Sequence, residues 1–349
     1  MSARSVLSVL DPARYNIIQV GISHQGAWLG GEDVLGAFEN GELGRLHPLF
    51  LSADPTRPGL FAILGEDEQV SKVADVDVYF PVLHGTYGED GTLQGLFEMA
   101  DVAYVGAGVL GSSVGMDKAL FKDVMRANDI PVVDYVTVLR SDIENDMESV
   151  VRRAESLAAY PLFVKPANLG SSVGITKCRS RSDLMEGLFE AAQYDRRILI
   201  ERGVSNPREI EISVLGNDDP QASVAGEIVP GADFYSYEAK YILDSSELNI
   251  PAALSPAQAE TIRQIAVRAY KACDCYGMAR ADFLLEPDTG TIYLNEINTI
   301  PGFTRISMYP KLWQESGLAY PNLINRLIEL AFERKAERDR TVREFRRQS

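Results

Sequence analysis

A chain of 349 residues, 46% hydrophobic and 24% charged, is long enough for two or three domains that each bury a core, and its composition is that of a soluble globular protein. Its 34 basic against 50 acidic residues give a net charge of −16, which argues against a nucleic-acid or anionic-membrane partner, because phosphate surfaces need a basic face. Cys178, Cys273 and Cys275 supply neither a disulfide framework nor zinc-knuckle spacing, no apolar run reaches transmembrane length, and Arg4, Asp11 and Arg14 stand where a signal peptide would be apolar. The expectation is a cytoplasmic protein with reduced, buried thiols.

Residues 2–10 have helical spacing at Val6, Leu7 and Leu10, and 15–22 (YNIIQVGI) reads as a compact strand. Residues 76–83 (VDVYFPVL) form a near-continuous apolar run, as in a strand buried on both faces. That run ends in the glycine-rich HGTYGEDG, before a helix at 93–99. A loop at the carboxyl end of a strand is where open α/β sheets place ligands, so His84 is a candidate ligand contact, against the plainer role of closing the strand end. After a short strand at 102–105, residues 106–115 (GAGVLGSSVG) read as a loop and 116–128 as a helix. Lys118 falls in the first turn of that helix, where a cation opposes the dipole and is understandable if it holds a phosphate. No G-x-x-x-x-G-K-[ST] run occurs, which excludes a P-loop.

Strands at 161–166, carrying Lys165, and 175–178 enclose the loop ANLGSSVG, whose amides and the Ser171 and Ser172 hydroxyls suit phosphates. A helix at 184–193 precedes a strand at 197–201 that runs into Arg202, Gly203 and Val204. Backbone groups at such a strand end beside Glu201 can read an adenine, with Glu209 nearby in the next strand, 209–215; a plain crossover between domains explains the same residues. Beyond a strand at 226–230, residues 234–241 (FYSYEAKY) carry aromatics too closely spaced for one core stripe and suit a loop closing over a small site. Ser255 and Pro256 cap a helix reaching about residue 274, whose apolar face is Ile262, Ile265, Ala266, Ala269, Tyr270 and Cys273.

Strands at 281–285 and 291–296 flank Pro287, Asp288 and Gly290 and read as a β-hairpin. Pairing would set Asp282 opposite Glu296, and alternation puts Glu296 and Asn298 on one face. Three hard oxygen donors without nearby His or Cys suit Mg²⁺ or Mn²⁺ brought in with phosphates; ordinary solvated acids are the alternative. A C-terminal amphipathic helix at 320–332 runs into a mixed-charge tail that reads as a solvated helix or a frayed end.

Taken together, HGTYGEDGTLQG, MDK, FVKPANLGSSVGI, REIEISVLGN, EAKY, GMARADFLL and NEINTIPGFTRISMYP resemble, in order and over essentially the whole chain, the D-alanine–D-alanine ligase family of the ATP-grasp superfamily. The resemblance implies a three-domain α/β ATP-grasp architecture: an N-terminal open parallel sheet (1–106), a central α+β lid domain (107–201) and a C-terminal α/β domain (202–349). It implies ligation of two D-alanines through an acyl phosphate for peptidoglycan precursors, with ATP and two Mg²⁺ (or Mn²⁺), and a homodimer. By the resemblance, Lys118 and Lys165 contact the ATP phosphates, and the 170–174 loop with Ser171, Ser172 and Val173 covers them. Glu201, Arg202 and Val204 face the adenine, Glu209 the ribose, and Phe234 and Lys240 reach the nucleotide from the closing loop. Asp282, Glu296 and Asn298 hold the metal ions. Arg280 and the Gly302 amide stabilise the oxyanion, Ser307 and Met308 take the carboxylate end of the second alanine, and His84 orients the amino-acid site. Tyr241, bonded to Ser171, goes with a second D-alanine where phenylalanine would go with D-lactate.

One motif departs from the pattern. Family members open with a strand and a G-G-x-S-x-E-H-E-V-S loop before the helix matched by 2–10, and its glutamate, which holds the first alanine's ammonium, has no counterpart to assign here. The expectation is that Met1 is a mis-called start of a longer chain. Two other readings stay open: a nucleotide-binding protein impaired in catalysis, and a ligase taking D-lactate or D-serine second.

Overall fold

The computed structural model describes residues 1–65, 67–170, 173–229 and 247–342. The first region holds α1 (Ser2–Leu7), β1 (Gly21–Ile22), β2 (Trp28–Gly30), α2 (Val34–Asn40), β3 (His47–Leu51), β4 (Leu60–Leu64), β5 (Gln69–Ala74), β6 (Val78–Tyr79), α3 (Thr92–Met99) and β7 (Ala103–Tyr104). Next come α4 (Val109–Met116), α5 (Lys118–Ala127), β8 (Tyr135–Leu139), α6 (Arg140–Leu157), β9 (Leu162–Pro166), β10 (Thr176–Cys178), α7 (Arg181–Tyr194) and β11 (Arg197–Arg202). The last region carries β12 (Arg208–Leu215), β13 (Gln221–Val229), β14 (Glu247–Asn249), α8 (Pro256–Ala272), β15 (Met278–Leu285), β16 (Ile292–Asn298), α9 (Met308–Glu315) and α10 (Tyr320–Asp339).

The first region corrects the expectation of an open parallel sheet. Among the described residues only β6 and β7 pair in parallel, while β1 to β5 form an antiparallel sheet in sequence order. The strand expected at 15–22 is reduced to β1, and the one at 76–83 to β6. An extended apolar segment becomes a strand only where a neighbour supplies a ladder. Tyr15 instead packs against the cluster of Leu323 and Leu327 and donates its hydroxyl to Asn325 at 2.8 Å.

The glycine-rich 106–115 stretch is likewise mostly helix, as α4. Its glycines serve close packing here: a Cβ at Gly111 would lie 2.9 Å from the Asp274 carbonyl, and one at Gly115 3.2 Å from Thr299. Of the two readings of the tail, the helical one holds as far as Asp339.

The lid sheet runs β10-β9-β11-β8, all antiparallel, and packs Leu162, Val164, Ile198 and Ile200 against Leu184, Leu188, Val150 and Val151 of α6 and α7. The last sheet runs β14-β13-β12-β15-β16. One face is covered by α8, which starts as its sequence predicts: Ser255 and Gln258 form a reciprocal capping box, with Pro256 in the first turn. That core also takes Phe121 and Met125, so α5 is anchored on the last sheet although it precedes the lid strands. A second cluster joins Val6 and Val105 to Phe303, Tyr309, Leu323 and Leu327, seating the first region against α9 and α10. Arg334 and Arg338 of α10 reinforce this seat through Glu98 on α3, at 2.8 and 2.6 Å.

Candidate active site

The hairpin β15–β16 places its acids by register: Arg280 pairs with Asn298 and Asp282 with Glu296, a bulge following Asp282. Gly290, at φ +69°, closes the turn, and its amide donates to the Glu286 carbonyl at 2.9 Å. On the other side of β15, Glu211 pairs with Asp282, so Glu211, Asp282 and Glu296 form a row across three adjacent strands. Arg280 binds into this row. Its Nε and Nη2 donate to the two Asp282 oxygens at 2.7 Å each, and Nε lies 3.0 Å from Glu211. Burial works against the guanidinium charge, but Asp282 and Glu211 hold its pKa well above the usual value.

Lys118 is the first residue of α5. Asp117 caps the helix by accepting from the Leu120 amide at 2.9 Å, and the Lys118 amide donates to the Ala167 carbonyl at 2.8 Å. Its ammonium donates to the Leu169 carbonyl, at the head of the covering loop, so Lys118 and Lys165 flank one stretch of chain. Lys165 lies 2.5 Å from Glu201, whose other oxygen is 2.7 Å from the buried Lys122. The Glu201 side chain is thus held by two lysines, which leaves its backbone groups at the strand end for the adenine contact expected there. Burial would raise its pKa, yet Lys122 and Lys165 bring it down to about 2.

At the end of β11 the Arg202 amide donates to the Asp134 carbonyl at 3.0 Å, and its guanidinium lies over the Tyr293 ring at 5.3 Å. Val204 follows in a half-buried loop, and Glu209 sits half-buried on β12 opposite Leu284. Val173 is exposed in the covering loop, and Gly170 of that loop approaches Gly85, whose Cα would be 3.6 Å from an added Cβ. Ser171, Ser172, Phe234, Lys240 and Tyr241 lie outside the described residues.

His84 reaches the last region: its Nδ1 is 3.2 Å from the Ile300 carbonyl, and Ser2 Oγ is 3.5 Å from Nε2. Gly302 and Ser307 face each other across a tight loop, since a Cβ at Gly302 would be 2.6 Å from Ser307 Oγ. Ser307 stands at the N-cap of α9 without capping it by its side chain; its hydroxyl instead accepts from the Thr304 amide at 3.0 Å. The first amides of α9 therefore receive no side-chain cap from Ser307. Met308 buries its side chain with Ile228 and Leu312, so its backbone is the part left to face a ligand.

Three functional candidates escaped the sequence reading. Glu89, in the HGTYGEDG loop, accepts from the Gly85 amide; burial pushes its carboxyl up to about 7, and the charges of Arg280, Glu296 and Lys118 all reach it. This one carboxylate therefore stands in the field of both charged groups of the site. Glu211 follows Glu209 by two on the same strand face, and Lys122 follows Lys118 by one helical turn; these spacings were the available signals.

Among the described residues no group of three or more His, Cys, Asp and Glu side chains is arranged to hold a metal alone. The donors that fit a hard cation are mixed: carboxylates of Asp282 and Glu296 and the amide oxygen of Asn298, which accepts from the Ile300 amide at 3.0 Å. Asp282 would share its oxygens between Arg280 and such an ion.

Family models described as D-ala D-ala ligase N-terminus and C-terminus match residues 1–107 and 124–329. The D-alanine--D-alanine ligase of Heliobacterium modesticaldum is 47% identical over 98% of this chain and 93% of its own, and that of Thermoanaerobacter sp. 49% identical over 97% and 94%. Among solved structures, the D-alanine-D-alanine ligase from Coxiella burnetii matches with TM-score 0.82 at 37% identity, over 97% of this chain and 90% of that one. The VanG D-Ala:D-Ser ligase from Enterococcus faecalis matches with TM-score 0.83 at 34% identity, over 95% and 94%. With motifs, fold and full-length similarity in agreement, the chain belongs to the D-alanine–D-alanine ligase family and is an ATP-dependent ligase of ATP-grasp architecture.

Proposed function

We infer that this chain joins two D-alanines into D-alanyl-D-alanine, with ATP converted to ADP and phosphate, as a step in making peptidoglycan precursors. The observation that carries the reading is the buried Glu89 carboxyl, which accepts from the Gly85 amide and feels the charges of Arg280, Glu296 and Lys118 together, so that a phosphate-side cation and the acidic row act on one group. Lys118 and Lys165 bind the triphosphate, under the 170–174 loop with Ser171, Ser172 and Val173 and the closing loop with Phe234 and Lys240. The Glu201 backbone, Arg202 and Val204 take the adenine, and Glu209 the ribose. Asp282, Glu296 and Asn298 would hold two Mg²⁺ or Mn²⁺. Divalent cations there neutralise phosphate charge, which phosphoryl transfer requires more than it requires a protein nucleophile.

The first D-alanine's carboxylate attacks the γ-phosphate, giving an acyl phosphate and ADP; the second's amine then attacks the acyl carbon, loses a proton and expels phosphate. Arg280 and the Gly302 amide face the oxyanion that develops, and the amides at Ser307 and Met308 take the second substrate's carboxylate. His84 orients the amino-acid site from the first region. Tyr241 favours an amine over D-lactate, and Tyr241→Phe is expected to raise the ratio of D-lactate to D-alanine product. The reading includes a cytoplasmic homodimer: the cysteines are buried and free, and among the described residues no helix is long and apolar enough to cross a membrane.

Product analysis with D-alanine, L-alanine, D-serine and D-lactate in competition, with phosphate release followed in parallel, tests this. D-alanyl-D-alanine as the main product supports it; ATP binding without turnover would instead indicate a nucleotide-binding protein, and a dominant ester or D-serine product another second substrate.

A further inference from the structure

We propose that Lys122 is a positioning residue of the nucleotide site, taking up part of the Glu201 charge so that Lys165 keeps net positive charge for a phosphate. The proposal rests on the reading that ATP phosphates bind at Lys165. Lys122 on α5, Glu201 on β11 and Lys165 on β9 form one ionic unit: Glu201 Oε1 lies 2.7 Å from the Lys122 ammonium and Oε2 2.5 Å from that of Lys165. The side chains of Lys122, Glu201 and Lys165 are 1%, 3% and 13% exposed, so the unit has a single open end, at Lys165.

Counting charge shows what Lys122 adds. A buried Lys165–Glu201 pair alone would be neutral, and a triphosphate approaching Lys165 would meet the field of an unshielded carboxylate behind it. With Lys122 on the far oxygen the unit carries one net positive charge, expressed where a ligand can reach it. Burial, joined by the nearby charges of Lys165 and Arg126, holds the Lys122 pKa below its usual value while the Glu201 charge opposes this, so the buried ammonium depends on Glu201 as Glu201 depends on it. The Tyr135 ring, 5.8 Å from the Lys122 nitrogen, contributes a second, weaker contact. Lys122 touches the nucleotide only through Glu201 and Lys165.

The test compares wild type, Lys122→Met and the double variant Lys122→Met/Glu201→Gln, titrated with magnesium-ATP and, separately, with adenosine, which has the base and ribose but no phosphate. Lys122→Met is expected to weaken ATP about tenfold, to leave adenosine within about twofold and to leave the D-alanine KM unchanged. The double variant, having lost the carboxylate that needed the second cation, is expected to recover ATP affinity to within about threefold of wild type. Parallel weakening of ATP and adenosine, unchanged ATP affinity in Lys122→Met, or no recovery in the double variant would each overturn the proposal. Should Lys122→Met fail to fold, the double variant, which buries no unpaired charge, is compared directly with wild type, and a tenfold loss of ATP affinity there would overturn it. Wild type binding neither ligand would sink the nucleotide reading and this proposal together, whereas ATP binding that ignores Lys122 sinks this one alone.

Discussion

The lid sheet and the last sheet each bury a cluster of three charges, and the two have opposite composition. Between α5 and the lid sheet, Lys122 and Lys165 share the carboxylate of Glu201; on the last sheet, Glu211 and Asp282 share the guanidinium of Arg280. The first cluster carries one net positive charge and the second one net negative. A buried ion cluster left off balance costs several kcal/mol unless something of the opposite sign visits it. The imbalance matches the proposed placement of a polyanion at the lid cluster and cations at the acidic row, as ATP with divalent metal would supply.

The largest effect expected from upsetting this contrast is on the acidic side. Arg280→Met removes the shared cation and the group proposed to face the oxyanion, and kcat in a phosphate-release assay should fall by about 10²- to 10³-fold. Urea unfolding should show a loss of about 3 to 5 kcal/mol from the stranded Glu211 and Asp282; a drop in kcat under tenfold would leave Arg280 a structural role only.

Asp282→Asn is a milder change to the same row. The half-saturating Mg²⁺ or Mn²⁺ concentration should rise by about 10- to 100-fold, while adenosine binding stays as it was. Equal metal dependence in wild type and variant would remove Asp282 from the ligand set.

The smallest effects are on stability, and they run in opposite directions with pH. Glu201 is depressed to about 2, so its contribution is present above the unfolded carboxyl value of about 4.3 and is lost as pH falls toward 2. Glu201→Gln should flatten that acid limb of the melting curve. Glu89 is raised to about 7, so its contribution is fully present below about 4.3 and is lost as pH rises through 7. The melting temperature of Glu89→Gln should gain on wild type between pH 5 and 8, and a constant difference across that range would show that Glu89 is not buried as described.

Features built from neighbours in the chain were legible from the residues. Alternation and the Pro287–Gly290 turn put Asp282 opposite Glu296, and Ser255 with Pro256 marked the start of α8, because such signals act within one turn or one hairpin. The roles of Lys122, Glu89 and Glu211 were not legible, since each depends on a charge supplied by another element: 79 residues separate Lys122 from Glu201. Apolar runs at 15–22 and 76–83 specified extended, buried chain but not its hydrogen-bonding neighbours, and glycines at 111 and 115 spelled a loop until packing against Asp274 and Thr299 showed why a helix needs them. Local backbone preference and side-chain period are carried by adjacent residues and survive reading in one dimension. Charge balance, ladder partners and close approach belong to groups brought together by the fold, and they arise only once the sheets are assembled.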